Sequence, residues 1–138
     1  MTRESESSGI RALALAAKEA SRAVASSSVE VRDRALRLMA GCLRAHKDGI
    51  CAQNGRDVEA GRAAGMAPSL IDRLLLTPER VESMACALED LVALPDPIGR
   101  ILEERTIDEG LRLEKVSVPL GLVAVIYEAR PNVTADAA

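Results

Sequence analysis

A run of apolar residues near the end of the sequence constrains most strongly what this chain can fold into. Leu122–Tyr127 is continuously apolar and contains three β-branched residues. Pro119 and Gly121 introduce it, and the polar sequence Glu-Ala-Arg-Pro-Asn follows directly. Such a run is typical of a strand that is buried on both faces in a parallel α/β sheet. The polar residues then lie at the carboxyl end of the strand, where open α/β sheets place their ligand sites.

The predicted strand has no sheet to join within these 138 residues, because the sequence stops at Ala138. We therefore expect the chain to be the front portion of a longer protein. We also expect Leu122–Tyr127 to face solvent in the isolated chain, where an apolar and β-prone run carries a risk of aggregation.

The sequence pattern divides the chain into four regions. Residues 1–8 are polar, and we expect them to be disordered. Residues 9–94 have apolar side chains at helical spacing and predict about five helices. Residues 95–118 form a linker and a β-hairpin, and residues 119–138 begin an α/β domain. The predicted fold class is therefore α/β, with the helices first and the sheet only starting at the end.

Capping signals predict where the helices begin and end. Thr77-Pro78-Glu79 is a strong helix start, with a cap, a proline at the first position and an acid next. Pro68 suits the first turn of a short helix over Pro68–Leu75. Gly65 suits the end of the preceding helix, which would cover Ile50–Ala64. We expect that helix to be interrupted or restarted near Asn54-Gly55.

Beyond the helices the apolar pattern changes from a helical to an extended one. Two prolines and Gly99 lie within residues 95–99 and cannot continue a helix. Ile101–Ile107 and Leu111–Val118 then predict two strands, separated by a turn in which Gly110 can adopt a positive φ. Together these two segments predict a hairpin.

Charge and hydropathy exclude several classes of function. The net charge is −3, and basic residues alternate with acidic ones, which argues against nucleic-acid binding. No apolar run approaches the roughly 18 residues that span a membrane. The N-terminus also lacks the apolar segment of a signal peptide. We therefore expect a cytoplasmic protein with no membrane or nucleic-acid partner.

The cysteines and the histidine do not predict a metal site. Cys42, Cys51 and Cys86 are odd in number and lack the spacing of metal ligands, and His46 is the only histidine. We expect no metal and no disulfide. The cysteines are instead expected to be small, buried apolar side chains.

Residues 125–134, Val-Ile-Tyr-Glu-Ala-Arg-Pro-Asn-Val-Thr, resemble the signature of the γ-glutamyl phosphate reductases (glutamate-5-semialdehyde dehydrogenases), a branch of the aldehyde dehydrogenase superfamily. Further runs are similar to the same family in order and spacing: Asn54 with Asp57-Val58, Ala60 and Gly65; Ile71-Asp72-Arg73-Leu74 with Leu76-Thr77 and Arg80; Asp96-Pro97-Ile98-Gly99; Gly110-Leu111-Arg112; and Pro119-Leu120-Gly121. The resemblance covers essentially the whole chain after the first eight residues.

The resemblance implies the NADPH-dependent reduction of L-glutamyl 5-phosphate to L-glutamate 5-semialdehyde with release of phosphate, a step of proline biosynthesis. In enzymes of this kind a cysteine thiolate attacks the acyl phosphate, and hydride from NADPH then collapses the thioester. The family's catalytic cysteine lies in a Thr-Cys-Asn context, which Cys42, Cys51 and Cys86 do not match. We therefore expect an N-terminal portion of such a reductase, ending at the first strand of its nucleotide-binding domain and inactive alone. The full-length protein is expected to be a homo-oligomer in which the hairpin contributes contacts.

The resemblance also places candidate site residues in the polar stretch after the strand. Asn132 is the candidate oxyanion donor and substrate-binding residue, with a turn or cap as its alternative role. Arg130 could bind a carboxylate or phosphate of the substrate, or form a structural salt bridge with Glu128. Tyr127 and Glu128 are candidates for lining the NADPH channel. Thr134 is expected to cap the next helix.

A second hypothesis comes from a different class of protein. The chain could be a non-catalytic helical and hairpin module that pairs with a partner chain. An unpaired hairpin edge is a template for strand addition, and the apolar strand needs a partner.

Overall fold

The computed structural model describes residues 3–108 and 110–137. Within them lie six helices and two strands, in the order α1 (Arg3–Ala25), α2 (Val29–Ala45), α3 (Lys47–Ala63), α4 (Pro68–Leu74), α5 (Pro78–Val92), β1 (Ile101–Ile107), β2 (Leu111–Val116) and α6 (Val133–Asp136). These elements divide into two compact units, one made of Met1–Val29 and Pro95–Ala124 and the other of Glu30–Leu94 and Val125–Ala138.

The first unit contains α1, which is longer than the sequence pattern predicted. The helix begins at Arg3, so the backbone of residues 3–8 is helical where we expected disorder over residues 1–8. Residues 1 and 2 of that prediction lie outside the described part of the chain. Polar residues can add turns to a helix that already exists, because extension avoids the unfavourable step of nucleation. No side chain of residues 9–25 is buried.

The same unit contains the predicted hairpin. β1 and β2 pair in antiparallel fashion, with Ile107 opposite Leu111 and Ile101 opposite Val116. Gly110 has a φ of 94°, which confirms the predicted glycine turn. The second strand ends two residues earlier than predicted, since it stops at Val116. Every side chain of both strands is exposed, so the hairpin has no buried face within this unit.

The second unit contains the buried core, which lies between α2, α3 and α5. Two clusters of buried residues form it, Ala40 with Ala85 and Leu88, and Leu76 with Val81 and Met84. Ala135 of α6 packs against the second cluster. This contact attaches the polar stretch that precedes α6 to the helical core, and it therefore positions the candidate site.

Helix α3 is continuous, so the predicted interruption near Asn54-Gly55 is wrong. The Asn54 side chain is buried and bonds outside its own helix: its amide donates to the Leu74 carbonyl at 2.8 Å, and its Oδ1 accepts from the Leu76 amide at 2.7 Å. Asparagine disrupts helices when its side chain competes for the local backbone. Here the side chain is bonded to the last residue of α4 and to the segment that follows it, and helix α3 is continuous.

The end of α3 and the start of α5 agree with the predicted signals. Gly65 adopts a φ of 75°, and its amide bonds to the Arg62 carbonyl at 3.0 Å, while the Met66 amide bonds to the Gly61 carbonyl at 2.9 Å. This pair of bonds is a Schellman motif. Thr77 caps α5 by accepting a hydrogen bond from the Arg80 amide at 3.2 Å.

The apolar run Leu122–Tyr127 does not form a strand in this structure. Ile126 is 99% exposed and Val123 is 57% exposed. The prediction of a buried strand is therefore wrong for this chain as it stands, and the expectation that the run faces solvent is confirmed. The reason is that a strand is stabilised by a hydrogen-bonded neighbour, and the sheet of the described residues consists of β1 and β2 alone.

The mixture of helices and strands otherwise agrees with the predicted α/β class. Among the described residues, no helix is long and apolar enough to cross a membrane.

Candidate functional site

The polar stretch between Tyr127 and α6 is held in a tight, locally bonded conformation. The Val133 amide bonds to the Arg130 carbonyl at 3.1 Å, and the Ala135 amide bonds to the Asn132 carbonyl at 3.0 Å. Ala129 has a φ of 50°, a left-handed conformation that costs a residue with a Cβ about 1 kcal/mol. A strained residue next to candidate site residues is consistent with a functional position.

Arg130 and Asn132 line one cleft of about 420 Å³ in the second unit, together with side chains of α4 and α5. The other polar or charged residues that line it are Asp72, Arg73, Arg80, Ser83 and Asp136. The two substrate-binding candidates are thus brought together. The two cofactor candidates, Tyr127 and Glu128, do not line this cleft.

The side chain of Asn132 is oriented by a carboxylate. Its Nδ2 donates to Oδ2 of Asp136 at 2.9 Å. Asn132 occupies the position before the first residue of α6, but its side chain makes no capping hydrogen bond. Of the predicted alternative of a turn or cap, the side-chain cap is not formed, whereas the turn is, because the Val133 amide bonds to the Arg130 carbonyl. An amide nitrogen has two N–H groups, so one remains for a ligand once Asp136 has engaged the other.

Arg130 makes no ion pair with Glu128, and no hydrogen bond or ion pair joins its side chain to any other described residue. The proposed structural salt bridge with Glu128 is thus not formed. Tyr127 instead places its hydroxyl 2.5 Å from Oγ1 of Thr134. Thr134 lies inside α6, so the prediction that it caps this helix is wrong.

Arg80 is the cleft residue that is most firmly fixed. Its Nη2 pairs with Oδ1 of Asp72 at 2.9 Å, and its Nη1 donates to the Leu75 carbonyl at 2.8 Å and also to the Asp72 carbonyl. Arg73 is the next residue of α4 and has no bonded partner among the described residues. We assigned neither arginine to the site from sequence, although both belong to the motif Ile71-Asp72-Arg73-Leu74 with Arg80 that pointed to the family.

A separate charged cluster joins α2 to α5. Arg44 pairs with Glu89 at 2.6 Å and with Glu82 at 2.9 Å. The hydrogen bond to Glu89, followed by that to Glu82, raises the pKa of the Arg44 guanidinium, and the same Arg44 bond lowers the pKa of the Glu89 carboxyl. Arg44 thereby fastens helix α2 to helix α5.

The cysteines are more exposed than predicted. Cys42 and Cys86 are exposed and Cys51 is half-buried, so the expectation that all three are buried is wrong. Cys86 lies beside the Arg44 cluster, with its Sγ 3.6 Å from Oε1 of Glu82. None of the three lines the cleft of Arg130 and Asn132. In residues 3–108 and 110–137, no three His, Cys, Asp or Glu side chains come together as potential metal ligands.

Comparison with known proteins finds relatives that carry the same protein name. The chain is similar to proteins named gamma-glutamyl phosphate reductase from Rhodospirillum rubrum (50% identical over 121 residues), Paramagnetospirillum magneticum (48% over 122 residues) and Salinibacter ruber (45% over 134 residues). These alignments cover 88%, 88% and 97% of this chain but only 28%, 29% and 31% of the relatives. The chain thus spans less than a third of the length of the relatives it matches. No protein-family model matches it.

Solved structures lead to the same proteins. The fold is similar to that of gamma-glutamyl phosphate reductase from Thermotoga maritima, with a TM-score of 0.83 and 34% identity over 88% of this chain and 29% of that one. The corresponding protein from Saccharomyces cerevisiae gives a TM-score of 0.82 and 33% identity, over 88% of this chain and 31% of that one. The resemblance inferred from the sequence motifs is confirmed by both comparisons.

Proposed function

We propose that this chain, whose sequence and fold are those of the N-terminal part of gamma-glutamyl phosphate reductases, contributes that part to the same reaction. The reaction is the reduction of L-glutamyl 5-phosphate to L-glutamate 5-semialdehyde with release of phosphate, a cytoplasmic step of proline biosynthesis. The observation that supports the proposal is that the sequence and the fold are both similar to those of the same enzymes over 88% of the chain. The role of the chain is to bind and orient the substrate.

Asn132 is the proposed oxyanion donor of this part of the enzyme. Attack on an acyl phosphate places negative charge on the carbonyl oxygen, and a preorganised N–H group stabilises that charge. The bond to Asp136 fixes the plane of the amide, while the second N–H stays available in the cleft. Orientation in advance matters because a donor that is already placed needs no reorganisation during the reaction.

Arg130 is the proposed anchor for an anionic group of the substrate. Its guanidinium lines the same cleft as Asn132 and makes no ion pair with another described residue. A planar guanidinium can bind a carboxylate or a phosphate through two parallel hydrogen bonds. The preceding residue, Ala129, adopts the strained left-handed conformation that aims this segment.

NADPH is the cofactor that the resemblance implies, and it would supply the hydride. The described residues do not form a site for it by themselves. The Tyr127 hydroxyl is engaged by Thr134, and a carboxylate such as Glu128 would repel the phosphates of a dinucleotide. Gly121 has a φ of 86° but faces open space, with no atom within 4 Å of an added Cβ to shape a phosphate cradle. We therefore assign no step of the cofactor chemistry to this chain.

A graft tests the proposal directly. Residues 1–138 replace the matching part of the Rhodospirillum rubrum relative, and turnover of the semialdehyde is followed through the nicotinamide absorbance. We expect an active enzyme, because the chain supplies a similar fold over 88% of its length. Asn132→Ala in this graft should lower kcat by about 10²–10³, the range measured for loss of one oxyanion donor. Gln53→Ala, an exposed change on α3, is the matched control and should leave kcat unchanged.

Two outcomes would contradict these assignments separately. A graft that folds, judged by circular dichroism, but has no turnover would contradict the proposed function. An active graft in which Asn132→Ala has the kcat of the control would contradict the role of Asn132 alone. The 138-residue chain by itself should show no turnover, because none of its cysteines lies at the cleft.

The exposed hairpin favours association as a second property. Both strands expose apolar side chains, among them Leu111 and Leu113, which are 66% and 52% exposed. Exposed apolar edges of this kind are typical of subunit contacts. We propose that β1 and β2 contact another copy in the full-length enzyme, and sedimentation of the graft with and without Leu113→Glu tests this. If the substitution leaves the mass unchanged, the hairpin is not the contact.

A further inference from the structure

We infer that Arg73, together with Arg130, forms a subsite for the anionic end of a small substrate, a carboxylate or a phosphoryl group. The inference deepens the proposed function, on which it rests, by adding a specificity-determining residue from α4 to the site. The inference comes from the three arginines that line the cleft, which differ in whether the guanidinium group is bonded to other described residues.

Arg80 has a structural role and is not available to a ligand in the same way. Its guanidinium is held by the Asp72 carboxylate and by two backbone carbonyls, including that of Leu75 at 2.8 Å. These bonds fasten the end of α4 to the first turn of α5. They also neutralise Asp72, one of the two acidic residues of the cleft.

Arg73 and Arg130 are the arginines that remain for a ligand. Neither makes a hydrogen bond or an ion pair with any residue of the described part of the chain, and both line the same cleft. Asp136, the second acidic residue, accepts a hydrogen bond from the Asn132 amide and makes no ion pair with either guanidinium group.

Two cations without a bonded partner in the described part of the chain line one cleft, and an anion bound between them would be attracted to both. Each guanidinium offers a forked pair of donors that matches a carboxylate or a phosphate. The cleft volume of about 420 Å³ lies within the range of small-molecule sites. Asn132 lines the same cleft, so an anion bound there would share the cleft with the proposed oxyanion donor.

A simpler role for Arg73 would be to interact with the helix dipole. It lies in the last turn of α4, where a basic residue is favourable. The interaction with the helix dipole would be equally favourable for an arginine on any side of the last turn. It does not explain why this arginine lines the cleft with Arg130, whose segment is far away in the sequence.

The test is a titration of the ¹⁵N-labelled 138-residue chain, followed by nuclear magnetic resonance at constant ionic strength. One arm uses inorganic phosphate, a second uses L-glutamate, and chloride is the reference. We expect saturable shifts at residues that line the cleft in at least one arm. Saturation by phosphate alone identifies a phosphoryl subsite, and saturation by glutamate alone identifies a carboxylate subsite.

Substitutions then identify the residues responsible. Arg73→Gln and Arg130→Gln should each weaken binding by about tenfold or more, as expected for loss of a charge-assisted hydrogen bond. Arg73→Lys retains the positive charge but loses the forked pair of donors. Its affinity should therefore lie between that of the original chain and that of Arg73→Gln. Arg34→Gln, an exposed arginine on α2 of the same unit, is the matched control and should bind like the original chain.

The inference fails if neither arm saturates, if the shifts spread over the surface, or if Arg73→Gln binds as the Arg34→Gln control does. Dispersed spectra of each variant establish that it is folded. This result is separate from the graft assay. An active graft without binding at Arg73 would remove only the subsite, whereas specific binding beside an inactive graft would remove only the proposed reaction.

Discussion

Replacing Asn54 by alanine should destabilise the helical unit more than any other single polar substitution that the structure suggests. Asn54 is 4% exposed and is the buried polar residue among the described residues. It joins the middle of α3 to the end of α4 and to the segment that follows it through two hydrogen bonds, with the Leu74 carbonyl at 2.8 Å and the Leu76 amide at 2.7 Å.

The expected loss can be estimated from these two bonds. The Leu76 amide lies in a residue that is 9% exposed, so water replaces the lost acceptor poorly. A buried donor or acceptor left without a partner costs about 1–3 kcal/mol. The Leu74 carbonyl can recover part of its hydration, so we expect a total decrease in the free energy of unfolding of about 2–4 kcal/mol.

Urea denaturation followed by helical circular dichroism measures this decrease. The control is Gln53→Ala, the exposed neighbour on α3, which should change the free energy of unfolding by less than about 0.5 kcal/mol. Amide hydrogen exchange at Leu76 reports on the hydrogen bond to Asn54, and its rate should increase in Asn54→Ala. If Asn54→Ala is as stable as the control and the Leu76 amide keeps its protection, the argument that this side chain joins α3 to the loop is refuted.

Two further predictions concern acid stability and self-association. The Arg44 bond lowers the pKa of the Glu89 carboxyl in the folded chain, so the pair stabilises above the unfolded pKa of about 4.3 and loses this effect as pH falls through the lower folded value. The difference in urea stability between the chain and Arg44→Gln should therefore shrink from pH 7 to pH 3, and a difference that stays constant would contradict the argument. Ile126→Lys should reduce self-association measured by sedimentation without lowering stability, because the Ile126 side chain is 99% exposed. Unchanged association would show that Leu122–Tyr127 is not the segment through which the chain self-associates.

Much of the local structure could be predicted because short-range chemistry decides it. Thr77 followed by Pro78 predicts the start of α5, and Gly65 predicts the end of α3 since a glycine accepts the left-handed conformation. The prediction at Asn54 failed for the opposite reason. Its partners lie 20 and 22 residues further along the chain, and no local pattern reveals them.

The candidate site shows the same division. Sequence resemblance identified Arg130 and Asn132, and the structure places them in one cleft. It did not identify Arg73, because a lone arginine in the last turn of a short helix looks like an ordinary surface residue. Only the packing of α6 on α5, through Ala135, brings the two segments together.

The sequence by itself determined the order of helices, the hairpin turn at Gly110 and the family resemblance, since each depends on residue types within a few positions of one another. The tertiary structure alone decided which charges are paired. Arg44 and Arg80 are engaged, whereas Arg73 and Arg130 have no bonded partner among the described residues. It also decided the conformation and exposure of Leu122–Tyr127, the apolar run that the sequence pattern predicts to be a buried strand. Burial of a strand requires neighbouring strands on which its hydrogen bonds and side chains can be satisfied, and the described residues of this chain do not provide them.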